Sequence, residues 1–309
     1  MFHYRKEQKI ISIGKFVMGG QPGELPTTLF GAIFSGKKYR KSIEKKDLDH
    51  VAGCVQTALK LSDETKNPFV LDVSLDRKEN LRTKIEKALE LIPDDIPLSL
   101  DMISAEVAEE TLKYVHEHDI TDRCILSTIN VGITEREKEA LKRYPPKNAI
   151  ALAYNPSDYS ADGRMEVLKS GANFLDKGLI PFMEEVEIKN VLIDTAATPF
   201  DRGGAEAIRA IAISKATFGL PTGCAIHNTI ESWSWAKKIK KLSKERYATL
   251  TSAAGIIPVL FGANFLLFGP IEHAECAFEL VSMADVFVAE GSEFFGVKTA
   301  EDHPRWALK

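Results

Sequence analysis

The chain has 309 residues, 44% of them hydrophobic, and a formal net charge of −4 from 40 Lys and Arg against 44 Asp and Glu. A length of this order supports one large domain or two ordinary ones, and the slightly acidic balance excludes polyanion binding as the main role, so no nucleic-acid partner is expected. The four cysteines, Cys54, Cys124, Cys224 and Cys276, lack CxxC or CxH spacing, which signals neither a zinc site nor a disulfide framework and fits a reducing cytoplasm.

The start of the chain, "MFHYRKEQK", is charged and lacks the apolar core of a signal peptide. The first buried run is "TLFGAIF" 28–34. The charged stretch "GKKYRKSIEKKD" 36–47 then reads as a solvated loop or helix start. His50-Val51-Ala52-Gly53 partly matches the corrinoid-binding pattern DxHxxG, but Leu48 stands where Asp is required, and the segment reads as helix surface. "FVLDV" 69–73 is the second run. "ENLRTKIEKALELI" 79–92 follows as a helix, with Leu81, Ile85, Leu89 and Ile92 on one stripe. "PLSLD" 97–101 is the third run. "SAEVAEETLKYVHEH" 104–118 is a helix capped by Ser104, with Val107, Leu112 and Val115 turned inward.

Further runs are "CILSTIN" 124–130, "NAIALAYN" 148–155 and "NVLIDTA" 190–196. "GGAEAIRAIAISKATFG" 203–219 is helical and stops at Gly219 ahead of Pro221. "PTGCAIHN" 221–228 and "NFLLFGP" 264–270 complete the set. The longest apolar stretch, "GIIPVLFGANFLLF" 255–268, is too short to span a bilayer and is broken by Pro258, Gly262 and Asn264, so no membrane insertion is expected.

Eight short apolar runs alternating with helices imply strands buried on both faces, as in a parallel sheet. The expected fold is a single-domain (β/α)8 TIM barrel over residues 1–309. Its main competitor, a doubly wound sheet, lacks both a GxGxxG after an early strand and a P-loop.

In such a barrel the strand C-termini carry function. They present Asp72, Asp101, Asn130, Asn155, Asp194, His227 and Asn228. No lysine for Schiff-base chemistry stands among them, and no HxH or HExxH spacing calls for a metal. Carboxylates and carboxamides suit a flat heterocycle rich in N–H donors, such as the aminopyrimidinone edge of a reduced pterin. Each residue also has a plainer reading. Asp or Asn at a strand end often caps the next helix or closes an Asx turn, a description that suits Asp72 and Asn155 best, and His227 reads equally as a core histidine. Two basic clusters, Lys37, Lys38, Arg40 and Lys41, and then Lys237, Lys238, Lys240, Lys241 and Lys244, read as solvated faces or as docking surfaces.

The blocks "KEQKIISIGKFVMGGQPGELPT", "LSDETKNP", "SAEV", "STIN", "LAYNP", "LIDTA", "GCAIHN", "FGPIEHAECAF", "MADVF" and "EDHP" follow one another in an order that resembles the H-subunit family of tetrahydromethanopterin S-methyltransferase, in which soluble methylcorrinoid:tetrahydrofolate methyltransferases of the glycine betaine demethylation type are also found. The resemblance implies a cytoplasmic, homodimeric barrel that exchanges a methyl group between pterin N5 and the cobalt of a corrinoid held by a partner protein. It also implies that Asp101, Asn130, Asp194 and Asn228 hold the pterin, with Asn228 as the catalytic residue near N5, while Asp72, Asn155 and His227 are further candidates. Tetrahydrofolate is the expected pterin. The alternatives are a tetrahydromethanopterin-specific component of a membrane methyltransferase complex and a pterin-binding component without activity of its own. A dihydropteroate-type synthase shares the pocket but needs a basic diphosphate site, for which Arg202 is the nearest candidate.

Overall fold

The computed structural model of the chain describes residues 2–40 and 43–309. Lys41 of the first basic cluster lies outside the described residues, as do the side chains of Lys37 and Arg40. The chain opens with an antiparallel hairpin, β1 (Ile10–Ile13) and β2 (Phe16–Gly19). Gly14 holds the first position of its two-residue turn at φ +55°, a backbone region that favours glycine. The alternation then begins: β3 (Thr28–Ile33), α1 (Lys45–Thr65), β4 (Phe69–Leu75), α2 (Lys78–Leu91), β5 (Leu98–Met102), α3 (Ala105–Glu117), β6 (Cys124–Ile129), α4 (Glu135–Arg143) and β7 (Asn148–Leu152). Helices α5 (Ala161–Ser170) and α6 (Leu179–Glu185) lead to β8 (Asn190–Asp194), α7 (Gly204–Phe218) and β9 (Thr222–Cys224). Four short helices, α8 (His227–Ser232), α9 (Ser234–Leu242), α10 (Lys244–Ala254) and α11 (Ile256–Leu260), precede β10 (Phe265–Pro270), and α12 (Ala274–Glu293) and α13 (Pro304–Ala307) end the chain.

Strands β3 to β10 close into a parallel barrel in which β10 pairs with β3, so all eight runs read from the sequence are barrel strands. The helix signals hold as well. Ser104 accepts the Val107 N–H as the α3 cap, and Gly219 ends α7 at φ +67°. Among the described residues, no helix is long and apolar enough to cross a membrane.

The hairpin was not foreseen, and it decides which end of the barrel is open. Ile11, Ile13 and Met18 insert against Phe30, Val70, Ile125, Ile150, Leu192 and Phe265, which fill the barrel axis. Ile13 and Met18 are completely buried, and each such side chain contributes about 1.5–3 kcal/mol relative to exposure. Below this plug most polar groups are joined to one another, Thr28 Oγ1 being an exception. Asn190 Nδ2 donates to Asn148 Oδ1 at 2.7 Å and to Ser12 O at 3.2 Å. Asn264 Nδ2 donates to Gly19 O at 2.8 Å, while its Oδ1 accepts from Lys215 Nζ at 2.5 Å. The N-terminal end is therefore sealed.

Candidate active site

Strand parity determines which residues face the open, C-terminal mouth, because side chains two apart on a strand point the same way. Asp72 follows the axial Val70 by two positions, and Asp194 follows Leu192 by two. Asp72 stands opposite Ser99 in the β4–β5 ladder, and Ser74 stands opposite Asp101, which gives Asp101 the same inward facing.

Asp72 is 8% exposed and Asp194 4%. Burial, reinforced by the negative charge of Asp101, pushes the Asp72 carboxyl from its ordinary 3.8 up to about 7. Burial pushes Asp101 up to about 6. Ionising either member of this pair makes it harder to ionise the other, so the pair still holds part of its protons close to neutral pH. Asp72 Oδ1 is buried without a hydrogen bond of regular geometry among the described residues, and the Ser99 hydroxyl is the neighbour that holds the Asp72 carboxyl down against burial. An orphaned buried oxygen costs about 1–3 kcal/mol, and an N–H-rich ligand edge would relieve that cost. The buried Asp72 oxygen is the feature of the mouth open to such an edge.

Asp194 also sits high, at about 6, because of burial, although the Ala196 N–H and the Arg164 charge pull the other way. Its Oδ1 accepts from Ala196 N at 2.7 Å. Arg164, on α5 and 1% exposed, fixes the loop between β8 and α7 by donating to Thr195 O (2.8 Å), Ala196 O (3.1 Å) and Gly203 O (3.2 Å). Sequence reasoning passed over Arg164. The available signal was a charged residue on the same helical stripe as Ala161 and Leu168, both buried.

The carboxamides behave differently. Asn155 turns into its own loop: its Oδ1 accepts from Ser157 N (2.9 Å) and Asp158 N (3.1 Å), and its Nδ2 donates to Gly163 O (3.0 Å). Asn130 Oδ1 accepts from Gly132 N at 2.8 Å. The same residue borders a cavity of about 30 Å³ walled by Met102, Leu126 and Leu141, between β6 and the helices α3 and α4. Asn228 stands exposed in the first turn of α8, its backbone N–H bonded to Ala225 O at 3.0 Å.

His227 begins α8 with its Nδ1 2.9 Å from Leu267 O. A carbonyl can only accept, so Nδ1 carries the proton and Nε2 is left as an acceptor in the neutral ring. Burial lowers the imidazole pKa and keeps it neutral. Gly269 makes room for it: at φ +89°, an added Cβ would lie 2.9 Å from the ring. Glu231 and His273 lie near enough to influence this corner electrostatically, and neither was singled out from sequence. The structure thus brings Asp72 and Asp101 close enough for the charge of Asp101 to be felt by Asp72, sets Asp194 inward on the same rim, and binds Asn130 and Asn155 to their loops. Among the described residues, no group of three or more His, Cys, Asp or Glu could hold a metal ion.

A closed parallel barrel with buried carboxyls at its mouth has relatives among solved structures. The chain is similar to the dihydropteroate synthase of Yersinia pestis, with TM-score 0.61 and 13% identity over 90% of this chain and 98% of that one. It is also similar to 7,8-dihydropteroate synthase from Vibrio fischeri ES114, with TM-score 0.60 and 12% identity over 90% and 97%. At these identities the likeness shows the fold alone.

Sequence comparison goes further. Residues 6–300 match the family described as "Tetrahydromethanopterin S-methyltransferase MtrH subunit", and the chain belongs to that family. The H subunit of tetrahydromethanopterin S-methyltransferase from Methanothermobacter thermautotrophicus is 35% identical over the full length of both chains. Its counterpart in Methanopyrus kandleri is 36% identical over 98% of each, and a Methanosarcina barkeri chain named as the H subunit of an mtx methyltransferase is 32% identical over 98% of each.

Proposed function

We propose that the barrel mouth binds a tetrahydropterin and that the chain exchanges a methyl group between pterin N5 and a corrinoid cobalt carried by a partner protein. The observation that supports this most directly is the Asp72–Asp101 pair, with its orphaned inward oxygen, in a member of a methyltransferase family. The names of the relatives favour tetrahydromethanopterin over the tetrahydrofolate expected from the sequence, and one component of a larger methyltransferase over a stand-alone enzyme. In this reading Asp101 and Asp194 accept N–H bonds from the aminopyrimidinone edge. Asn130, whose oxygen is engaged, contributes its Nδ2 as a donor, and Asn155 drops out of the binding set.

In the direction away from the pterin, the N5–CH3 bond breaks, the partner's Co(I) supplies the electron pair of the new cobalt–carbon bond, and the electron pair left on N5 takes a proton. In the other direction the N5 lone pair forms the new bond to the methyl carbon, the cobalt keeps the electrons of the bond that breaks, and the proton of N5 passes to the carboxyl pair or to water. Positioning is the main contribution of the barrel. The proton retained by the Asp72–Asp101 pair near neutral pH is a source for N5, and the exposed carboxamide of Asn228 stabilises N5 by donating or accepting a hydrogen bond as the direction requires. The corrinoid protein docks over the mouth, and the chain acts as a homodimer.

The test is incubation of the purified protein with methylcobalamin and either tetrahydromethanopterin or tetrahydrofolate, following methyl-pterin formation. Product with tetrahydromethanopterin is expected. No product with either pterin, together with no heat of pterin binding in calorimetry, overturns the reading. Binding without turnover would instead identify a pterin-binding component that needs its assembly for activity.

A further inference from the structure

The outer helical layer is interrupted beside the mouth. Between β9 and β10 the chain forms four short helices, α8 to α11, where most other strands are followed by one longer helix. An apolar groove of about 360 Å³ remains between α7 and α11. Buried Ile208, Ile226 and Ile230 line it, while Phe200, Ile257 and Phe261 are 51%, 47% and 43% exposed on its walls. Trp233, also on the wall, stacks flat on Phe200 with ring centroids 4.3 Å apart, and Trp235 of α9 lies 4.7 Å from Trp233. Apolar side chains exposed together in a concave site mark a binding surface more often than a bare solvent face.

Charge specifies the occupant. Helix α9 continues directly from Trp233, and Lys237, Lys238, Lys240, Lys241 and Lys244 beside it are all exposed. No carboxylate occurs between Glu231 and Glu245, in a chain whose net charge is −4. Segregated positive charge on the helix that leaves the groove wall at Trp233 suits an amphipathic helix, apolar face in the groove and acidic flank toward the lysines. A second copy of this chain fits less well, because it would bring its own five lysines to the same face.

We propose that the groove between α7 and α11, with the lysine ridge of α9, is the docking site for an acidic amphipathic helix of another protein. The proposal is independent of the methyl-transfer reading. A fluorescein-labelled 18-residue peptide, with Leu at helical spacing and Glu on the flanks, is titrated against the full chain by fluorescence anisotropy. A matching peptide with Lys in place of Glu is the control. Binding of the Glu peptide alone is expected, weakened about tenfold when ionic strength rises from low to physiological values. A similar loss is expected in K237E/K238E/K240E/K241E, and also in I257E and F261E, whose positions are exposed enough to leave folding intact, as circular dichroism checks. Equal binding of both peptides, no binding, or no response to I257E and F261E overturns the proposal. So does a dimer, measured by light scattering, that falls to monomer in I257E, because that result assigns the groove to a second copy.

Discussion

Strand β8 carries the two ends of the barrel within five residues. Asn190, Leu192 and Asp194 face inward in turn, at the sealed end, the axis and the mouth. Asn190 is hydrogen-bonded to another strand and to the hairpin, whereas Asp194 has one short bond to its own loop and a carboxyl that burial holds near 6. The same contrast runs round the barrel. At the sealed end Asn67 Nδ2 donates to Thr27 O (2.9 Å) and Asp285 (2.6 Å), and Asp285 in turn accepts from Thr27 Oγ1 (2.7 Å). At the mouth Asp72 Oδ1 lacks a hydrogen bond of regular geometry among the described residues, with only the Ser99 hydroxyl to ease its burial. The carboxamide and lysine networks at the sealed end hold the fold together, whereas the buried carboxyls at the mouth impose a cost that a ligand would remove.

Substitutions at the two ends should therefore act in opposite ways. The largest effect is expected for Asn264→Ala, which takes one of the two acceptors from Lys215 Nζ, leaving Gly20 O, and removes the side-chain partners of Gly19 O and Thr222 N. Each buried polar group left unsatisfied costs about 1–3 kcal/mol, and several are affected at once, seen as a lower denaturation midpoint in urea. Asp101→Asn should do the reverse, weakening pterin binding about 100-fold in calorimetry through loss of a charged acceptor worth about 1.5–3 kcal/mol, while leaving the thermal midpoint unchanged or higher. A midpoint that falls as far as that of Asn264→Ala would erase the distinction between the ends.

The pH dependence comes next in size. Asp72, Asp101 and Asp194 have folded pKa values of about 7, 6 and 6 against an ordinary 3.8, so the folded state holds extra protons between those limits. Their contribution to stability is complete below about 4 and is lost as pH rises toward 7. Lys215 at the sealed end is pushed by burial from 10.5 down to about 7, so its contribution is present above 10.5 and is lost as pH falls through about 7. The thermal midpoint should pass through a minimum near neutrality. Asp72→Asn/Asp101→Asn should flatten its acid limb, leaving the part due to Asp194 and to Asp285, which burial also holds near 6. Smallest is Ser104→Ala, which removes the α3 cap just beyond β5 and should cost about 1 kcal/mol in denaturant titration, with little change in pterin affinity.

Much of this molecule was legible one segment at a time. The run "NVLIDTA" gave β8, and Ser104 and Gly219 gave helix ends, because strand burial and capping are recorded in neighbouring residues. The hairpin escaped notice although "IISIGKFVMGG" holds two short apolar runs around a Gly-Lys turn, since nothing local says that such a hairpin will enter a barrel. Asp72 and Asn155 suited the same plain reading in sequence and separate in the structure. Asn155 closes a loop, and Asp72 faces the axis beside Asp101.

Local periodicity and residue order were enough to set the eight strands, their alternation with helices, the polar residues at the strand ends and membership of the family. Which end is sealed, which carboxyls stay protonated near neutral pH and where a groove is left open emerged only on folding. Those properties arise where residues far apart in the chain share one desolvated space, and a burial cost or an orphaned oxygen exists only once the distant strands have closed around it.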